Sequence, residues 1–114
     1  MPVELDPRPA ALEDLLAKLP PCLPLAALCA KRIAEGMTKF GDAWLTEDLV
    51  HELRQECADG PNYASMITVK HPSPEVSAIC HAIALHMLEA YKLTALLEEA
   101  VAGVEAQKQE DAQA

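Results

Sequence analysis

Apolar residues recur along the last third of the chain with steps of four and three. Val76, Cys80, Ile83, Met87, Ala90, Thr94, Leu97, Val101 and Val104 form a heptad seam, and Ile79, Leu93 and Leu96 widen it on one side. The pattern predicts one long helix, about 45 Å at 1.5 Å per residue. Ser73-Pro74-Glu75 is its start, with a hydroxyl to cap, a proline at the first position and an acid just inside. The other helices are too short to cover such a seam, so an oligomer burying part of it is expected.

Upstream the pattern is more broken. Ala10–Lys18 carries Leu12, Leu15, Leu16 and Leu19 on one side and predicts a short amphipathic helix. Pro20, Pro21 and Pro24 interrupt it, and a second helix is predicted from Leu25 to Phe40, closed by Gly41. Thr46 is the expected cap of a third helix, Glu47–Asp59, which Gly60-Pro61 is expected to end or kink. Asn62–Lys70 reads as a further turn or two, and His71-Pro72-Ser73-Pro74 as a linker. The whole is an all-α bundle of four to five helices: residues 1–9 an extended lead-in, 10–105 a single helical domain and 106–114 a polar, frayed tail.

Composition fits this reading. Half the residues are apolar, yet there is one Phe, two Tyr and one Trp, so the core must be built from Ala, Leu, Ile, Val and Met. The net charge of −9, from 18 acids against nine bases, argues against binding nucleic acid through phosphates. Cys22, Cys29, Cys57 and Cys80 lack paired zinc spacing and read as reduced thiols of a cytoplasmic protein. No stretch is apolar for long enough to span a membrane, and the acidic, proline-rich start does not resemble a signal peptide.

The acids are informative on the third helix. Glu52, Glu56 and Asp59, at i, i+4 and i+7, fall within an arc of about 60°. Leu49, Val50, Leu53 and Cys57 occupy the neighbouring arc, so the row is expected to border a buried face, with Arg54 and Glu47 on the solvated side. Three like charges this close repel unless a cation joins them, and oxygen donors of this kind suit Mg²⁺ or Mn²⁺. A solvated acidic helix produces the same spacing. His81 and His86, five apart, point to different faces and do not form a helical metal pair.

The segments Lys39-Phe40-Gly41-Asp42-Ala43-Trp44, Asp48-Leu49, Glu52 to Asp59 and Asn62-Tyr63-Ala64 resemble one motif region of the all-α, MazG-like nucleoside triphosphate pyrophosphohydrolases, including short members from phages and mobile elements. That pattern is approximately K-[YF]-G-x-x-W, a helix start, then E-x-x-x-E-x-x-D-x-x-N-Y. The resemblance implies Mg²⁺-dependent hydrolysis of a (deoxy)nucleoside triphosphate to monophosphate and pyrophosphate. Glu52, Glu56 and Asp59 would hold the metal, Lys39 would meet phosphate, and Asn62 and Tyr63 would lie near base or sugar. Trp44 would stack on the base or anchor its loop to the core. The family's second acidic pair, ExxE, is absent here. Glu35, Glu89 or another subunit would complete the site, or the fold survives without the chemistry as a helical interaction or regulatory module.

Overall fold

A computed structural model describes residues 5–114; the first four residues of the expected lead-in lie outside it. Among the described residues the chain is all-α: α1 (Arg8–Ala17), α2 (Leu23–Phe40), a 3₁₀ turn (Gly41–Leu45), α3 (Leu49–Lys70) and α4 (Pro74–Gln113). The chain divides after Glu47 into two compact units.

In the N-terminal unit, α1 starts two residues earlier than expected, because Pro9 fits the first turn, where no amide partner is needed. Pro24 likewise sits inside the first turn of α2 instead of ending the break before it. Leu12 and Leu16 of α1 share a groove with Ala26, Ala30, Ile33 and Met37 of α2. Gly41 closes α2 at φ 54°, the only positive φ among the described residues.

The second unit is an antiparallel hairpin of α3 and α4. Its cap is Asp48, whose carboxylate accepts from the His51 amide at 3.1 Å. The expected cap, Thr46, instead donates its hydroxyl to the Ala43 carbonyl, closing the 3₁₀ turn. Ser73 caps α4 as expected, accepting from the Val76 amide at 3.0 Å.

Two expectations are corrected here. The helix does not end at Gly60-Pro61: α3 runs unbroken to Lys70 with Pro61 inside it. Pro61 removes one amide donor, but the steric clash with a preceding residue falls chiefly on its Cβ, and Gly60 has none. The missing Cβ serves a second purpose, since one added there would lie 2.7 Å from Met87 Cγ and 2.9 Å from its sulfur. At the other end, the segment expected to fray is helical, and α4 continues to Gln113. Gln107 donates to Asp111 and Lys108 to Glu105, local pairs that suit a solvated helix.

The register of the hairpin follows from three contacts. Arg54 meets Thr94, Gly60 faces Met87, and Asp48 shares a groove with Ala102. The last 11 or so residues of α4 therefore run beyond the start of α3, by roughly 16 Å. Cys57, Ala64, Cys80 and Thr94 are its buried side chains. The heptad seam is split: Cys80, Met87 and Thr94 turn toward α3, while Ile83, Leu97 and Val104 remain 40–55% exposed.

Candidate functional site

The acidic row lies where helical spacing predicts, on one side of α3, but not beside a buried surface. Glu52, Glu56 and Asp59 are all exposed. Of the apolar neighbours expected to be buried, Cys57 is, Val50 is half-buried, and Leu49 and Leu53 stay about half exposed. The acids thus border an uncovered apolar strip.

The uninterrupted α3 changes the company of these acids. Tyr63 follows Glu52 by 11 residues, three turns, and joins Glu52, Glu56 and Asp59 within the same arc of about 60°. Asn62 lies about 100° round the helix from Tyr63. Both are exposed. Among the described residues, the ion pairs formed involve none of the three acids. No three His, Cys, Asp or Glu side chains among those residues gather closely enough to hold a metal ion. The donor set fits Mg²⁺ in chemical kind, as hard oxygens, but these residues do not close around a cation in one chain.

The remaining predicted residues belong to the N-terminal unit. Glu35 is exposed on α2 and pairs with Lys31 at 3.8 Å. Lys39 lies over the Phe40 ring, 5.2 Å from its centre. Trp44 is half-buried, with the Arg8 guanidinium 5.2 Å above its ring, and shares a recess with Leu5, Pro7 and Leu45. Of its two readings, the observed contacts are those of an anchor.

Arg8 organises that corner and was not singled out by spacing. Its guanidinium donates to both Asp6 oxygens, the shortest contact 2.6 Å, and to the Gly41 carbonyl at 2.9 Å. The hydrogen bonds from Arg8 hold the Asp6 carboxyl below its ordinary value, and those to Asp6 raise Arg8 above its own. An acid and a base two residues apart around Pro7 was the available signal.

Arg54 was also misplaced by the helical wheel. It is half-buried toward α4, donating from Nε to the Thr94 hydroxyl at 3.0 Å and pairing with Glu98 at 2.6 Å. Thr94 is 2% exposed and donates in turn to the Tyr91 carbonyl at 2.6 Å. This polar relay fixes the hairpin's register. It is structural, with every group partnered.

Among the described residues, no helix is long and apolar enough to cross a membrane. No family model, curated protein or solved structure matches the chain.

Proposed function

We propose that this chain is a MazG-like, Mg²⁺-dependent hydrolase that converts a (deoxy)nucleoside triphosphate to monophosphate and pyrophosphate in the cytoplasm. The observation that carries the reading is the continuous stripe Glu52–Glu56–Asp59–Tyr63 on α3, three exposed carboxylates with an aromatic ring one turn on. Glu52, Glu56 and Asp59 supply hard oxygen donors for the metal, and Tyr63 offers a face on which a base or sugar can rest. These carboxylates would hold a divalent cation, whose chemistry there would be to neutralise triphosphate charge and make a water more acidic. The resemblance further assigns Asn62 to base or sugar; Lys39, its expected phosphate contact, and Glu35, the candidate for the missing acid, belong to the N-terminal unit. On this reading the protein acts as an oligomer joined through its long helix, and a second copy supplies the ligands that one chain lacks.

One observation favours a second reading. The described acids do not converge, as they need not in a helical interaction or regulatory module that has kept the ancestral fold. One assay separates the two: the purified protein with Mg²⁺ and a panel of (d)NTPs, scored for pyrophosphate, with Glu56→Gln in parallel. The hydrolase reading expects release that Glu56→Gln reduces by at least about 10-fold, since even partners one shell out from a metal cost about 10–100-fold when lost. No release from any nucleotide leaves the interaction module as the reading that stands.

A further inference from the structure

We infer that the turn joining α1 to α2 is a membrane-contact surface, an apolar tip that enters the interfacial layer of a phospholipid bilayer from one side. This is independent of the reaction assigned to α3 and of how copies of the chain assemble.

Turns that face water are built largely from Gly, Asn, Asp and Ser. This one reads Leu19-Pro20-Pro21-Cys22-Leu23-Pro24-Leu25 and contains none of them. Its apolar side chains are not tucked away. Leu23 is 82% exposed, Leu25 49% and Leu19 48%. Leu15 and Leu28, about a turn further along each helix, are 57% and 56% exposed. Leu16 and Ala26 share the notch behind them. From Leu15 to Ala34 there is no acid, in a chain with 18 of them.

A bilayer fits this tip in depth, backbone and charge. On α1 the nearest acid, Asp14, lies about 6 Å behind Lys18, and on α2 the first charge, Lys31, lies about 12 Å behind Leu23. A tip of that height matches the roughly 5–10 Å to which interfacial elements sink at the headgroup–acyl boundary. Lipid offers no partner to an open amide. Pro20, Pro21 and Pro24 have no amide hydrogen to leave open, and that of Leu19 is bonded to the Leu16 carbonyl at 3.1 Å. Lys18 can carry its ammonium back to the phosphates on its long stem. With Lys31 and Arg32 it sets three bases against Glu13 and Asp14, so this end is net positive in a chain of −9 and meets anionic headgroups with the right sign. A turn between two helices is also convex, and a fluid layer conforms to it without a matching socket. Among the described residues no helix is long and apolar enough to cross a bilayer, and contact of this kind needs none.

The test is flotation of the full chain in a density gradient with vesicles of phosphatidylcholine and phosphatidylglycerol. The wild type is expected to rise with the vesicles. Leu23→Glu should lower its partitioning at least about tenfold, the scale of burying one leucine. Leu23 is the first residue of α2, where an acid favours the helix, so circular dichroism should show the fold retained. Leu85→Glu, at a half-exposed leucine of α4, should leave flotation unchanged. A fluorophore on Cys22, the exposed thiol, should shift to the blue on vesicles and be quenched by spin-labelled acyl chains. A wild type that does not float overturns the proposal and leaves a protein surface as the cover. Flotation that Leu23→Glu leaves intact overturns it too, as does a Cys22 probe that stays in water while the protein floats, since either places the contact elsewhere.

Discussion

Gly60→Ala is the substitution on which the hairpin's geometry makes its sharpest demand. An alanine Cβ would lie 2.7 Å from Met87 Cγ and 2.9 Å from its sulfur, closer than packed atoms tolerate. Overpacking of this kind costs about 1–3 kcal/mol, and the new Cβ also meets the ring of Pro61. Against this, alanine is a better helix former than glycine by about 1 kcal/mol. The difference is a destabilisation of up to about 2 kcal/mol, reduced as far as the flexible Met87 side chain can move aside, and seen as a lower midpoint in urea unfolding followed by circular dichroism. Gly36→Ala is the internal control: it lies within α2 with nothing within 4 Å, so only the propensity gain applies and it should stabilise. The double variant Gly60→Ala, Met87→Ala tests the cause, because without the methionine side chain the added methyl has room. Gly60→Ala should therefore cost less in the Met87→Ala background than in the wild type, what remains being the contact with Pro61. If Gly60→Ala stabilises as Gly36→Ala does, or if its cost is undiminished in the Met87→Ala background, the close approach of α3 to α4 at this point is wrong.

Two further outcomes follow from the polar contacts. In the Arg54 relay, burial decides which partner matters: Thr94 is 2% exposed whereas the Glu98 side chain is 62% exposed. Thr94→Val strands a half-buried guanidinium donor and should cost about 1–2 kcal/mol, but Glu98→Gln should cost about 0.5 kcal/mol or less; the reverse order in thermal melts would contradict the relay. At the N-terminal corner, Asp6 is depressed below 3.8 by its hydrogen bonds from Arg8, so its contribution is present above that value and is lost as pH falls through the lower, folded-state pKa. Emission from Trp44, the single tryptophan, should hold steady from neutrality to about pH 5 and change only below about pH 4, as Arg8 is released from Asp6; Asp6→Asn should abolish that transition.

How much of this was legible in the sequence depends on whether local or tertiary terms decided each element. The long helix was legible because its seam repeats over four heptads, and its Ser73-Pro74-Glu75 start is a local signal that nothing overrides. Its extension to Gln113 was not, because a polar tail has no periodicity and only side-chain pairs such as Lys108 with Glu105 mark it as helical. The break expected at Gly60-Pro61 failed for a reason written in the same dipeptide: glycine relieves the clash that proline imposes. The division after Glu47 has no such marker, since Thr46 and Asp48 are both cap residues and only the bond from His51 selects Asp48. For the site, the arc of Glu52, Glu56 and Asp59 was readable from spacing alone. Which face of α3 meets α4 was not: the helical wheel places Leu49 and Leu53 inside and Arg54 outside, and the reach of Arg54 to Thr94 and Glu98 reverses that order.

The central claim, that the stripe on α3 holds a divalent cation, is met most directly by titrating Mn²⁺ into the ¹⁵N-labelled full chain and following amide line widths. Paramagnetic broadening should begin at residues 52–63, at Mn²⁺ well below the protein concentration, and Glu56→Gln should weaken it. Broadening that is strongest instead along the equally acidic end of α4, from Glu105 to Asp111, or that spreads evenly over all exposed carboxylates, would show that the stripe is only a solvated helix face.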